Sequence, residues 1–537
     1  MKREDSSPSP ASGEGQQQQQ QQQVSPEDQE LKAQREARKK AKEAEKAAKE
    51  AAKLNRKKAM EEARAAQNVV AEDWESSSFG YFPLMNSSSS KRRQFVAVGQ
   101  LKEKEGSLAF AVLREGLETA QIVFSSSLPR PLLKWLEGVP VESLIDVFGV
   151  VAAAAAPLVG VSQQHELHAE KVFCVVRAPP ELPFRIRDAM QPDNDNEAQG
   201  QIRVHLDTRL EHRWLDLRVA GTFAVACAVS EVSRHLRDYL LHEKCIEIHT
   251  PKILGGASEG GAFCFELNYF NQPACLAQSP QLYKQMCIAG DMKRVFEIGP
   301  VFRAENSNTH RHLCEFVGVD LEMEIKETYI EAVDLIDNMF KYLFKKLETD
   351  FTKESAIIRA QHDVPPFEFL EETPRLTFAE GVAMLREAGI GLETIPEDIS
   401  NFDLSTELEK ALGALVKKKY NTDFYILLRY PTAVRPFYSM PCPDDPRFSN
   451  TFDVFMRGEE IASGAQRLHD AELLKQCCSK RGIDVQQLRS YIKALELGAP
   501  PHAGMGAGLE RIVMLYFGLG NIRRVSLFPR DPKRLFP

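Results

Sequence analysis

The stretch Phe302–Glu324, FRAENSNTHRHLCEFVGVDLEME, constrains the fold of this chain more than any other part. From Glu315 onward apolar residues alternate with the rest. Val317, Val319, Leu321 and Met323 share one face, and Phe316, Gly318, Asp320, Glu322 and Glu324 share the other, which is the period of a strand. The apolar face must pack inward. The opposite face then lines a surface with carboxylates beside an aromatic ring, fed by a loop that carries His310, Arg311 and His312. The strand before the loop is expected to end in Arg303 and Glu305, two apart and so on one side. Cations, acids and a ring that converge in this way suit a nucleotide and a small zwitterion.

At 537 residues the chain exceeds what one core usually supports, so at least two folded domains are expected. A net charge of -8 and a pI near 5.9 argue against nucleic-acid binding by bulk charge, leaving any polyanion to local basic patches. The ten cysteines show neither a CxxC pair nor a zinc-type Cys/His spacing, and Cys477 and Cys478 are adjacent; this pattern fits reduced thiols in the cytosol. The longest apolar run, Val147–Val161, is interrupted by Pro157 and Gly160 and is shorter than the roughly 20 residues of a membrane span. The opening MKREDSSPSP lacks the apolar core of a secretory signal. A cytoplasmic protein with no membrane association is expected.

Residues 1–27, with Gln16–Gln23 unbroken, form a low-complexity leader with too little apolar surface to offset ordering entropy. Residues 28–68 are rich in Ala, Lys, Glu and Arg without Gly or Pro, which favours a basic helical extension. It could stand as a solvated helix, meet RNA phosphates or dock another protein. Residues 69–91 are serine-rich and read as a linker. Over 92–183 five or so short β-type segments, among them FVAVGQL, LAFAVLRE, AQIVF and HELHAEKVFCVV, suit a small barrel of the OB-fold type. The polar run within 184–201 reads as a hinge. Residues 202–537 mix helices (Ala220–His242, Tyr329–Glu348, Ala471–Lys480) with alternating strands, an α+β domain on an antiparallel sheet.

Near the C-terminus, GMGAGLERIVMLYFGL places Gly506 and Gly508 ahead of Glu510, Arg511 and an apolar helix. Glycines let backbone approach a ligand, and an arginine at a strand-to-helix junction can clamp phosphate. Taken together, the passage CIEIHTP ending in Pro251, Phe302–Phe316 and Gly506–Arg511 resemble the three signature motifs of class II aminoacyl-tRNA synthetases. A barrel followed by a catalytic domain looks like the subclass that charges Asp, Asn or Lys. Within it, SEGGAFCFEL, QSPQLYKQ, GEEIASGAQR and the ending FPRDPKRLFP are similar to aspartyl-tRNA synthetases of the eukaryotic cytoplasm, over roughly residues 93–537.

That resemblance implies a set of roles. Lys284 and Arg467 match the positions that hold the aspartate side-chain carboxylate, and Gln281, Asp320 and Glu259, the last on the mobile loop SEGG, match those around the ammonium. Arg303 looks like the residue shared by the reacting carboxylate and the α-phosphate, and Arg511 like its catalytic partner. Phe316 resembles the ring on which adenine stacks, with Arg511 over the other face. Glu305, Arg311, His312, Leu313, Glu460, Gly508, Leu509 and Glu510 complete the ATP contacts. Asp453, Glu460 and Ser463 match the ligands of Mg2+, and Ser463 also borders the amino acid. Phe110, Gln121 and Glu166 match anticodon contacts in the barrel, although FVAVGQLKEK lacks the arginines usual in the family's first strand. Pro251 matches the joint of a homodimer.

The implied activity is aspartate–tRNA ligation: ATP activates L-aspartate to aspartyl-adenylate, and tRNA(Asp) receives the aspartyl group at its 3′ end. Two alternatives are an enzyme relaxed enough to act also on tRNA(Asn), favoured by the missing arginines, and a catalytically silent RNA-binding or scaffold paralogue. Against the second stand Arg303, Glu305, Asp453, Glu460 and Arg511, all present.

Overall fold

The structure is a computed structural model; it describes residues 90–97, 109–125, 128–192, 202–256 and 264–537. The leader, the basic extension, most of the serine-rich linker and the loop residue Glu259 lie outside the described residues. The chain divides into two compact units, one ending at Ala178 but without Arg114–Thr119, the other formed by Pro179–Pro537 together with Arg114–Thr119. The described cysteines are all free thiols, and no helix among the described residues is long and apolar enough to cross a membrane.

The first unit is a barrel of β1 (Ser90–Ala97), β2 (Ala109–Glu115), β3 (Glu118–Phe124), β4 (Ser143–Ala153) and β5 (His165–Val176), closed in the order β1-β2-β3-β5-β4. Every second residue turns inward: Ala111 and Leu113, Ile122 and Phe124, Ile145 and Val147, Leu167 and Ala169 build its core. Helix α1 (Arg130–Glu137) joins β3 to β4, with a proline in its first turn where the missing N–H costs nothing. Strand β1 starts further upstream than its composition suggests. It pairs with β4 from Ser90↔Gly149 to Val96↔Ser143, so Arg92 and Arg93 belong to the strand, opposite Val147 and Asp146. The expectation of a first strand without arginine is therefore corrected: ladder pairing recruits a serine- and arginine-rich stretch whose own propensity is weak.

The second unit is laid on an eight-stranded sheet. Its elements include α2 (Ala220–His242), β6 (Ile246–Glu247), α3 (Gln281–Ala289), β7 (Arg294–Phe302), β8 (Glu315–Glu324), α4 (Ile330–Asp350), β9 (Arg375–Thr377), α5 (Thr406–Tyr420), β10 (Phe424–Leu428), β11 (Thr451–Met456), β12 (Glu459–Gln466), β13 (His502–Gly508) and α6 (Leu509–Tyr516). The strand order is β9-β10-β11-β12-β13-β8-β7-β6, antiparallel throughout its middle with a parallel neighbour at each edge.

Helix α2 buries Ala224, Val225, Ala228, Val232, Leu236 and Leu240, an apolar stripe at helical spacing. This stripe joins Phe340 and Phe344 of α4, Ile512 and Val513 of α6, and Val319, Leu321 and Met323 of β8 in the main core. The alternation in β8 thus packs inward on the side expected. Strand β7 ends at Phe302, so Arg303 and Glu305 lie past it; Arg303 extends the ladder by one bond, its N–H donating to Cys314 O at 2.9 Å, and Glu305 sits in the loop. The other face of the sheet is crossed by α3 and opens as the cleft described next.

Candidate active site

A cleft of about 260 Å³ opens on the polar face of β8, lined by Phe316, Gly318 and Asp320 of that strand, by Arg303, Glu305, Arg311, His312 and Leu313 of the loop before it, and by Glu460, Ser463, Arg467, Gly508, Glu510 and Arg511 from the far side. Gln281 also borders it. Residues from six segments spread over more than 200 positions therefore meet in one place.

Behind the cleft wall formed by Asp320 and Arg467, two cations face two acids; Lys284 and Glu322 do not themselves line the cleft. Lys284 of α3 is fully buried, and its ammonium donates to Asp320 Oδ1 at 2.8 Å, Met505 O at 2.9 Å and Leu321 O at 3.4 Å, with Glu322 Oε2 3.6 Å away. Arg467 donates to Glu322 through Nε at 3.0 Å and Nη2 at 3.4 Å, and to Gly504 O at 2.9 Å. Gln281 Nε2 donates to the same carboxylate at 3.3 Å. Burial opposes ionisation of Glu322, but Arg467 and Lys284 outweigh it and hold its carboxyl below the usual range. Room for this cluster comes from the neighbouring strand: opposite Asp320 and Glu322 stand Gly506 and Gly504. A Cβ on Gly504 would lie 2.1 Å from Leu321 O and 2.4 Å from Glu322 Oε2, so no larger residue fits.

At the mouth, the Arg303 guanidinium lies 5.5 Å over the Phe316 ring, and its buried Nε meets no acceptor. Arg511 donates to Glu460 O at 3.0 Å and Arg311 O at 3.3 Å, and burial works against its charge. His312 Nδ1 lies 2.6 Å from Thr309 Oγ1, and burial also lowers its pKa, favouring the neutral imidazole. Leu313 is buried and belongs to the main core.

The loop is pinned from behind. Arg523 donates to Thr309 O at 2.8 Å and Asn308 Oδ1 at 2.7 Å, and it is itself held by Asp531 at 2.6 Å.

Asp453 and Ser463 face each other across β11 and β12. Both are bound by Arg435, which reaches Asp453 through two bonds of 2.9 and 2.5 Å and Ser463 Oγ at 3.0 Å. Burial, with Asp453 nearby, raises the pKa of Glu460. Among the described residues no cluster of three or more His, Cys, Asp or Glu side chains is arranged to hold a metal.

Gly508 precedes α6, Leu509 is buried, and Glu510 turns its carboxylate to Val317 N at 3.1 and 3.2 Å. Burial pushes Glu510 up to about 7. A folded-state value above the ordinary 4.5 favours the native state at low pH, an advantage lost as pH rises from about 4.5 through 7. Glu510→Gln, which keeps an acceptor for Val317, should therefore gain about 3 kcal/mol relative to the wild type between pH 4.5 and pH 8. Urea unfolding at the two pH values checks this; parallel curves would refute it.

Pro251 is exposed at the surface of the second unit. In the barrel, Gln121 and Glu166 are paired across β3 and β5 and joined by a 2.6 Å hydrogen bond, and Phe110 is half-buried on β2. Sequence reasoning gave no role to Glu322 or Arg435. Glu322 did stand in the alternating face beside Asp320, which was the available signal; nothing near Arg435 in TAVRPFYSMP points to Asp453.

An antiparallel sheet whose polar face gathers arginines around an acid-lined cleft is the architecture of one synthetase class. The family model for class II tRNA synthetases (D, K and N) matches residues 205–532, and the chain belongs to that family. Within it the chain is 50% identical over 439 residues to aspartate–tRNA ligase 2, cytoplasmic, of Arabidopsis thaliana, covering 80% of this chain and 78% of the relative. It is 44% identical over 501 residues to the human cytoplasmic aspartate–tRNA ligase, covering 90% and 99%. The solved aspartyl-tRNA synthetase of Entamoeba histolytica superposes with a TM-score of 0.76 at 41% identity, covering 85% of this chain and 91% of that one.

Proposed function

We infer that the chain is an aspartate–tRNA ligase that activates L-aspartate with ATP and transfers it to the 3′ end of tRNA(Asp). The observation that carries this reading is the buried Lys284–Asp320–Glu322–Arg467 cluster at the wall of the cleft. Its two cations and two acids balance one another. Aspartate divides them: its ammonium goes to Asp320 and Gln281, its side-chain carboxylate to Lys284 and Arg467. Arg467 supplies a planar fork and Lys284 a point charge. Asparagine would leave those cations poorly matched, at a cost on the order of 3–5 kcal/mol, enough for discrimination of about 10³ without editing.

In the first step an oxygen of the aspartate α-carboxylate attacks the ATP α-phosphorus in line, the bond to the bridging oxygen breaks, and pyrophosphate leaves. Arg303, whose Nε has no acceptor, stabilises the charge on the α-phosphate. Adenine stacks on Phe316 with Arg511 above it, displacing the Arg303 contact with that ring. Arg311 and His312 meet the terminal phosphates, and Glu305, Leu313, Glu460, Gly508, Leu509 and Glu510 shape the rest of the nucleotide site. In the second step the terminal ribose 3′-hydroxyl of tRNA attacks the mixed anhydride and AMP departs. No side chain need act as a nucleophile, so rate comes from positioning and electrostatics.

Asp453, Glu460 and Ser463 are the residues that would hold Mg2+. The donor chemistry fits. Glu460 is an acid whose charge is resisted by burial and by Asp453, and a carboxylate keeps lone pairs beyond the two taken by Arg435. When bound, the ion would neutralise phosphate charge. Further parts of the reading are Glu259 closing over the ammonium, an OB-fold barrel that meets the anticodon through Phe110, Gln121 and Glu166, a homodimer joined near Pro251, and work in the cytoplasm. The basic segment 28–68 would serve as a helical arm for tRNA or for another protein.

Pyrophosphate exchange with Asp, Asn and Lys, followed by charging of purified tRNAs, tests the whole. Exchange with aspartate alone and charging of tRNA(Asp) is the expected outcome. Silence with aspartate would overturn the reading, and charging of tRNA(Asn) would establish a relaxed enzyme.

A further inference from the structure

Helix α5 takes no part in the reaction outlined above, yet its first turn reaches the loop that borders the cleft. Arg311 Nη2 donates to Thr406 Oγ1 at 2.8 Å, and Nη1 donates to Glu409 Oε2 at 3.3 Å. Both members of the Arg311–Glu409 pair are largely shielded from solvent, at 19% and 13% side-chain exposure. The next residue, Lys410, lies 3.2 Å from Glu459, and Glu459 is 3.1 Å from His310 Nε2. One helical turn therefore engages two successive loop residues, Arg311 directly and His310 through Glu459.

The helix is firmly seated. Ser405 caps it by accepting from Leu408 N, and Leu408, Leu412 and Val416 bury in a core of their own with Phe378, Val382, Tyr425 and Phe455. Gly413 lies flat against Gly458 in the turn between β11 and β12, where a Cβ would come within 2.3 Å of Gly458 Cα. That turn belongs to the hairpin carrying Asp453 and Glu460.

The backbone of the loop is held separately, with Arg511 on Arg311 O and Ile522 N on His310 O at 2.8 Å. A guanidinium has five N–H donors in a rigid fork, and Glu409 with Thr406 occupy only two of them. The rest remain for an anion in the cleft that Arg311 lines.

We propose that Glu409 and Thr406 are positioning residues for ATP, holding the Arg311 guanidinium oriented into the cleft before the nucleotide arrives. A long side chain otherwise loses rotamer freedom on binding, and pre-ordering removes that cost from nucleotide affinity. This rests on the reading that Arg311 meets the terminal phosphates of ATP.

The test is steady-state pyrophosphate exchange with the full chain, varying ATP and aspartate in turn, with melting temperatures to show that each variant folds. Glu409→Ala should raise KM for ATP about tenfold, with KM for aspartate and kcat at saturating ATP within about twofold, as loss of one charged hydrogen bond implies. Glu409→Gln, which keeps the acceptor, should recover most of the loss; Thr406→Val should show a smaller rise and Thr406→Ser none.

Arg311→Ala should raise KM for ATP at least as much, and adding Glu409→Ala to it should change nothing further. The proposal is overturned if Glu409→Ala leaves KM for ATP unchanged or lowers it, if it raises KM for aspartate equally, or if its effect adds to that of Arg311→Ala. An unchanged KM for ATP in Arg311→Ala alone would overturn the reading of Arg311 and the proposal with it, while exchange by the wild type would still support the ligase.

Discussion

Lys284→Met is expected to lower kcat/KM for aspartate by about 10³-fold or more and to leave ATP affinity within about twofold. Methionine matches the length of lysine and suits an apolar wall, so the change removes the charge with little loss of volume. The ammonium of Lys284 serves Asp320, Met505 O and Leu321 O and stands near Glu322, all in a place closed to water. Without it Glu322 keeps Arg467, Asp320 loses its ammonium partner, and an incoming side-chain carboxylate would meet one cation of the pair instead of two. Phe316, Arg311 and Arg511, the residues proposed to meet adenine and phosphate, also line the cleft, and their contacts do not involve Lys284. Exchange kinetics for aspartate and calorimetric titration of ATP separate the two effects. An unchanged aspartate preference would remove Lys284 from the pocket, and equal loss of both ligands would show that the variant had collapsed.

How much of this arrangement the sequence carries depends on the range of the interaction. The period of two in β8 predicts which side chains enter the core and which face the cleft, because alternation is local. Helix α2 is equally plain, its 23 residues matching the expected span end to end. The ion pairs are another matter. Lys284 reaches Asp320 across 36 positions and Arg467 reaches Glu322 across 145, and only strand order and register bring them together.

Composition at 315–324 says that acids share a face. It does not say that Glu322 is the most enclosed of them, nor that glycines on β13 make space for it. Strand β1 shows the converse: a serine- and arginine-rich stretch extends it because β4 offers partners as far as Gly149. Arg435 and Glu409 carry no local mark, since each acquires its meaning from a residue on another element.

Arg435→Met should cost about 3–5 kcal/mol of stability, and a divalent cation should restore part of it. Arg435 binds Asp453 through two bonds, reaches Ser463, and lays its guanidinium 3.6 Å from the centre of the Tyr430 ring. Asp453 is almost wholly enclosed, and Glu460 nearby already has its charge opposed by burial and by that neighbour. Taking away the guanidinium strips Asp453 of its ion partner in a poorly hydrated place and leaves Glu460 only Arg511 and Arg311 to offset its charge, an arrangement that penalises folding. Ions that bind only the native state stabilise it by mass action. Millimolar Mg2+ should therefore raise the melting temperature of Arg435→Met clearly and that of the wild type little. Arg435→Lys should fall between, because an ammonium supplies charge without the bidentate fork or the flat contact with Tyr430. If Arg435→Met melts with the wild type, the pair contributes nothing to folding; if it is destabilised yet indifferent to Mg2+, Asp453 and Glu460 do not form a metal site once the arginine is gone.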